Sequence, residues 1–223
     1  MDAAAVETLS ADFDVHYDPA LADAQQTIPG LLDDVAALIV RNRTEVTAAL
    51  LDAAPSLQCV GRLGVGLDNI DVAACRERGI AVYPATGANT RSVAEYVVGN
   101  AMLLLRGSGF ANAAMLAGEW PRASLGQGEE SAGKVLGLVG FGAIARETAA
   151  LARAVGFSVI AFDPHVAADD PAWQTVRPVD WPGLLAESDV LSLHVPLLES
   201  TRHQINADAL AAMRPGAILI NAA

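Results

Sequence analysis

Taken only as a pattern of apolar and polar positions, the chain repeats one theme: a short apolar run, a break at glycine, proline or aspartate, then apolar residues at helical spacing. Residues 2–9 open at helical spacing, with Asp2 as a cap and Ala5, Val6 and Leu9 along one face. Residues 13–17, Phe-Asp-Val-His-Tyr, alternate as a half-buried strand does. Residues 35–40 and 57–62 are buried-strand runs, separated by a helix over 46–54 that Pro55 stops. Asp71 is placed to cap a helix closing at Gly79, and a strand over 80–83 ends at Pro84. Residues 92–106 form a long apolar helix, a second helix ends near Gly118, and 123–133 is a polar linker.

A second series follows. A strand over 134–139 breaks into glycines and resumes as a helix with Ile144, Thr148, Leu151, Ala152 and Val155 on one side. That helix stops at Gly156 and feeds a strand over 158–163. Residues 180–185 read as a short helix, 189–195 as a buried strand ending at Pro196, 207–213 as a helix capped by Asn206, and 217–221 as a last strand. Strands alternating with helices predict an α/β fold of two doubly wound parallel-sheet domains, 1–91 and 92–223, with the helices from residue 92 onward as a bridge.

Composition narrows the function. Of 223 residues 52% are hydrophobic but few are aromatic, which suits one large or two modest aliphatic cores. Fourteen basic against twenty-six acidic residues give a formal charge of −12, which argues against nucleic acid or an anionic membrane as partner. An anionic substrate therefore needs locally placed basic residues. Cys59 and Cys75 lack metal-ligand or CxxC spacing, and the four histidines show no ligand spacing, so no metal site is expected. No apolar run reaches transmembrane length and the start has no basic n-region, which predicts a cytoplasmic protein.

The most specific local pattern is Gly140-x-Gly142-x-x-Ala145 between a strand and a helix. The first glycine permits a tight turn, the second lets the N–H groups of Ala143 and Ile144 approach a pyrophosphate, and the small Ala145 allows close packing. Asp163 ends the next strand, where its carboxylate can accept from an adenosine ribose. With no Lys or Arg within two residues of it, a 2′-phosphate would meet a like charge, so NAD is expected rather than NADP. The alternative is a glycine turn in some other doubly wound sheet.

Several segments together resemble the D-2-hydroxyacid dehydrogenases: Gly64-Val-Gly-Leu-Asp-Asn-Ile-Asp71, Ser92-Val-Ala-Glu95, the glycine turn, His194-Val-Pro-Leu197 with Thr201, and Gly216-Ala-Ile-Leu-Ile-Asn-Ala222. The resemblance implies a flavodoxin-like substrate domain followed by a Rossmann NAD-binding domain. It implies NAD-dependent interconversion of a D-2-hydroxyacid, or hydroxysulfonate, with its 2-oxoacid. It makes Val65 and Gly66 the carboxylate binders, and His194, Val195, Pro196, Thr201, Asn221, Ala222 and Ala223 the cofactor lining. Arg41-Asn-Arg43-Thr resembles a branch acting on hydroxyacids with an extra anionic group, such as sulfolactate. Arg41 and Arg62, each at the carboxyl end of a predicted strand, then clamp that group; otherwise they are two solvated arginines. Trp120 and Arg122 resemble a Trp-x-Arg near domain and subunit contacts, or else are a buried Trp with an exposed Arg. The apolar circumference of residues 92–106 implies a homodimer of the complete protein, unless the helix is buried between the domains.

The family supplies an arginine, a glutamate and a histidine for catalysis, and none is expected in this chain, since the arginine would follow Ala223. A strand is also expected before the first helix. The chain is therefore expected to belong to a longer dehydrogenase; the alternative is a non-catalytic NAD-sensing module resembling the family's corepressor relatives.

Overall fold

Helix α1 (Ala3–Ser10) starts where Asp2 accepts the Ala4 N–H at 3.4 Å. The structure, a computed structural model, describes residues 2–223 and divides into two units, one ending at Ala88 and the other spanning Asn89–Ala223. Each has its own parallel sheet.

In the first unit β1 (Ala37–Val40), β2 (Cys59–Arg62) and β3 (Ala81–Pro84) lie in the order β1-β2-β3. They are joined by α2 (Ala48–Asp52) and α3 (Val72–Glu77) over a core of Val40, Leu50, Leu51, Val60, Ile70, Cys75 and Ile80. Because the order is sequential, this sheet shows no reversal among the described residues, and only the second sheet is doubly wound. Residues 13–17 form no strand: Phe13 is 67% exposed, and alternation alone does not make a strand without a partner edge and a core to face. The helix expected over 46–54 is shorter at its start. Thr47 caps it through the Leu50 N–H, and Val46 instead makes a parallel bridge to Ile70.

In the second unit α4 (Thr90–Arg106) ends at Gly107 in the left-handed conformation. The short α5 (Asn112–Leu116) and α6 (Arg122–Leu125) follow, so the expected linker begins with a helical turn. Next come β4 (Val135–Val139), α7 (Ala143–Ala154), β5 (Ser158–Phe162), β6 (Arg177–Pro178), α8 (Trp181–Glu187), β7 (Val190–Leu193), α9 (Ala207–Ala212) and β8 (Ile218–Asn221). The sheet order is β6-β5-β4-β7-β8, with the two-residue β6 as an edge the apolar pattern did not reveal. Leu136 and Leu138 face α4 and α7, while Val139 faces Leu184, Leu185 and Ala209 of α8 and α9. The buried stripe of α7 is Ala145, Thr148, Ala149 and Ala152, and the expected Leu151 and Val155 pack half-buried against the same core. Small residues win because α4 packs closely on α7, where larger side chains would hold the helices apart.

Gly137 lies on the α8 face, where an added Cβ would sit 2.0 Å from Ser188 Oγ and 3.1 Å from Leu191 Cδ1. Gly137→Ala is expected to destabilise the protein by about 1–3 kcal/mol in urea unfolding, through overpacking. Adding Ser188→Gly should recover part of that loss. Equal stability of Gly137→Ala and the parent would contradict the packing described.

Candidate functional site

Register aligns the ends of the second sheet. Val139 pairs with Phe162 on one side and Leu193 on the other, and Leu193 pairs with Asn221. Gly140, Asp163, His194 and Ala222, the next residue on each strand, therefore stand side by side along the carboxyl edge. The strand order also reverses there, between β4 and β7, which is where open α/β sheets bind ligands.

The two glycines of the turn differ in what constrains them. Gly140 has φ +86°, and a Cβ on it would lie 2.9 Å from both His194 O and Val195 Cγ1. Gly142 has an ordinary φ of −77°, and a Cβ there would meet nothing within 4 Å. It begins the twelve-residue α7 with no side chain capping the first turn, whereas Asp71, Asp180 and Asn206 each cap their helices. The N–H groups of Ala143 and Ile144 thus border open space at the positive end of a helix, a place that suits a phosphate. These features fit the pyrophosphate of a dinucleotide.

Asp163 follows β5 and is bound into the same turn: Oδ2 accepts the Phe141 N–H at 2.7 Å and Oδ1 the His165 N–H at 2.9 Å. Each oxygen retains a further lone pair for a ribose hydroxyl. Beneath it, the buried Phe141 stacks on Trp173 with centroids 4.6 Å apart. Arg146 lies 5.3 Å from the Phe141 ring, donates through Nε to the Phe141 carbonyl at 2.9 Å, and reaches Asp170 at 3.2 and 3.3 Å. The Ala172 N–H and the Arg146 guanidinium hold the Asp170 carboxyl below its usual range. Sequence reasoning missed this clamp; its signal was the x of Gly-x-Gly being aromatic with a basic residue one helical turn on.

His194 donates its backbone N–H to Val139 O at 2.8 Å, and its Nε2 lies 3.0 Å from Ser192 Oγ. Its Nδ1 is buried with no partner, and burial lowers its pKa from 6.5 to about 4, so the ring is neutral near pH 7. Thr201 Oγ1 staples the following loop, donating to Pro196 O at 2.6 Å and accepting the Leu198 N–H at 2.8 Å. The Ala222 N–H donates to Leu193 O at 3.2 Å, and Asn221 Oδ1 accepts the Ala223 N–H at 3.1 Å.

In the first unit Val40 pairs with Arg62, so Arg41 and the turn after Arg62 start from adjacent strand ends. The Arg62 side chain folds back over that turn: its Nη1 donates to Leu63 O at 3.3 Å, and a Cβ on Gly64 would lie 1.4 Å from the same nitrogen. Gly64 also has φ +153°, so only glycine suits the position. Arg62 Nε is buried without a partner, and Val65 is exposed beside it. Arg43 is spent on Asp23 at 2.8 Å, while the Arg41 guanidinium has no partner among the described residues. Arg41, Arg62, Val65 and Gly66 thus share the carboxyl edge of one sheet. Trp120 is 74% exposed, which corrects the reading of it as a buried Trp; the exposed Arg122 opens α6.

The family model for the NAD binding domain of D-isomer specific 2-hydroxyacid dehydrogenase matches residues 98–223. The (S)-sulfolactate dehydrogenase of Chromohalobacter salexigens is 54% identical over 224 residues, covering 100% of this chain and 72% of that protein. The hydroxypyruvate reductase of Thermotoga maritima is 42% identical over 193 residues, covering 86% of this chain and 62% of that protein. Among solved structures, Aquifex aeolicus D-lactate dehydrogenase complexed with NAD and lactic acid superposes with a TM-score of 0.85 at 26% identity, covering 99% of this chain and 65% of that one.

The buried neutral His194 makes stability depend on pH. Between its unfolded pKa of 6.5 and its folded value of about 4 the unfolded chain binds the extra proton, so this contribution is present above pH 6.5 and is lost as pH falls towards 4. Urea unfolding is expected to lose roughly 1–3 kcal/mol over that window relative to His194→Gln, which has no titrating ring. Parallel pH profiles for the two proteins would contradict the burial of a neutral ring.

Proposed function

The chain belongs to the D-isomer specific 2-hydroxyacid dehydrogenase family, with NAD as cofactor, and we propose that it acts on a 2-hydroxyacid carrying a second anionic group, (S)-sulfolactate or a close analogue. NAD, when bound, takes or supplies the hydride that interconverts the hydroxyacid and its 2-oxoacid. The observation that carries the substrate reading is the unpartnered Arg41 beside Arg62 at adjacent strand ends of a chain whose net charge is −12. Two guanidiniums with donors to spare suit a sulfonate or phosphate, and the exposed N–H groups of Val65 and Gly66 suit the substrate carboxylate.

The (S) descriptor agrees with D-isomer specificity. In sulfolactate the sulfur-bearing carbon outranks the carboxyl, so (S)-sulfolactate has the spatial arrangement of (R)-lactate, which is D-lactate. The residues proposed for NAD are Gly140, Gly142, Ala143 and Ile144 at the pyrophosphate, Asp163 at the adenosine ribose, and His194, Val195, Pro196, Thr201, Asn221, Ala222 and Ala223 towards the nicotinamide. The neutral His194 adds no charge next to a ring whose own charge changes in the reaction.

The relatives are dehydrogenases and reductases, which favours a catalytic reading over a non-catalytic NAD sensor. We read residues up to 91 as the substrate domain and those from 92 as the Rossmann domain. We also propose a homodimer: Tyr96, Met102 and Leu103 of α4 are exposed, and so are Phe110, Leu116 and Trp120 after it. Among the described residues no helix is long and apolar enough to cross a membrane, and a cytoplasmic site is part of the proposal.

In the full-length protein with NAD, turnover of (S)-sulfolactate is expected to exceed that of (R)-lactate in kcat/KM; a preference for (R)-lactate would overturn the substrate reading. Asp163→Ser is expected to weaken NADH by about 1.5–3 kcal/mol through lost charge-assisted hydrogen bonds, and to raise NADPH affinity relative to NADH. Fluorescence titration with both nucleotides checks this. An unchanged ratio would mean that Asp163 does not face the ribose.

A further inference from the structure

We infer that Asn69, backed by Gln25, is a positioning residue that fixes the arginine loop, residues 41–45, beside the carboxylate-binding turn and so sets selectivity for doubly anionic substrates. The inference rests on the reading of Arg41 as a ligand for the second anionic group.

The loop is irregular backbone whose carbonyls need partners that a sheet would otherwise supply. Two side-chain amides supply them. Asn69, 3% exposed, gives one Nδ2 hydrogen to Arg41 O at 2.7 Å and the other to Thr44 O at 2.6 Å. Gln25 donates to Arg43 O at 3.1 Å and accepts the Glu45 N–H at 2.8 Å. The backbone joins the same elements: the Val46 N–H donates to Asn69 O at 2.8 Å, and the Asp71 N–H to Val46 O at 2.9 Å. Asn69 follows Gly66 in the same loop, so the position of the carboxylate turn passes through its side chain to the arginine loop.

Its orientation has one solution. Flipping the amide would set Oδ1 against two carbonyl oxygens, so the Oδ1 remains buried and unpartnered, at a cost that an apolar residue would avoid. An apolar residue would instead leave two loop carbonyls unpaired. With Arg43 tied to Asp23, the part of the loop this clamp leaves available is Arg41.

The test compares (S)-sulfolactate with (R)-lactate in the NAD-dependent reaction of the full-length protein. Asn69→Ala is expected to raise KM for (S)-sulfolactate about tenfold or more, with kcat and the KM for (R)-lactate held within about threefold, because a misplaced ligand weakens binding of the group it contacts. The Kd for NADH should not move. Gln25→Ala should shift selectivity the same way by a smaller factor, and it decides the matter alone if Asn69→Ala does not fold. Arg41→Ala separates the two ideas. If it shifts selectivity while Asn69→Ala and Gln25→Ala do not, the inference is overturned and the role of Arg41 stands. If Arg41→Ala leaves selectivity unchanged, that role falls and the inference with it. An equal rise in KM for both substrates would make Asn69 merely structural and would also overturn it.

Discussion

The carboxyl edge of the second sheet, where we propose that NAD binds, depends on the absence of a Cβ at Gly140. There the chain leaves β4 with a positive φ and passes so close to His194 and Val195 that any side chain would force β4 and β7 apart. Because the turn is that tight, α7 begins with its first N–H groups beside open space, and Asp163 reaches the Phe141 amide from the neighbouring strand. The stacked Phe141 and Trp173, with Arg146 bridging to Asp170, brace the turn from below. The exposed ion pair itself adds little stability; its value lies in geometry, since Arg146 fixes the carbonyl of the residue between the two glycines.

The first unit, where we propose that the substrate's anionic groups bind, is held by other means. It has an irregular loop where the second has a helix terminus, and irregular backbone does not hold an anion site in place unless its own polar groups are satisfied. Asn69 and Gln25 satisfy them, and Arg62 lies over a glycine turn that no side chain could share. In both units the arrangement is built from groups whose hydrogen bonds point inward to the loop, leaving a few donors aimed outward. An acidic chain can offer an anion site only through such local placement.

Much of this was readable in the residues because it follows from steric rules. Apolar runs became parallel strands, buried in β4, β5 and β7 but not in β1, where Ile39 is 42% exposed; Asp2, Asp71 and Asn206 became caps, and Gly79 and Gly156 took the positive φ that ends a helix. What failed depended on neighbours that a local pattern does not contain. Residues 13–17 alternate but have no strand to pair with, and β6 is too short and too polar to announce itself. Of the buried residues of α7 only Ala149 was not anticipated, since alanine carries little apolar signal where a close helix contact demands small residues. At the site, the glycines and Asp163 were legible as a motif. The bond from Phe141 to Asp163 and the clamp of Asn69 on residues 41–44 join positions more than twenty apart, and only the fold brings those together.

The central claim is that the two glycines of the turn have different duties, one making the fold possible and the other leaving room for the cofactor. Gly142→Ala tests it directly, because the new Cβ would strain nothing and touch nothing within 4 Å in the protein itself. The account predicts folding stability within about 1 kcal/mol of the parent, the scale of a changed helix cap. It also predicts that NADH binding, measured by fluorescence titration, weakens by roughly an order of magnitude or more, because the methyl group occupies space the pyrophosphate needs. Unchanged NADH affinity in a stable Gly142→Ala protein would contradict it, and would place the dinucleotide somewhere other than the start of α7.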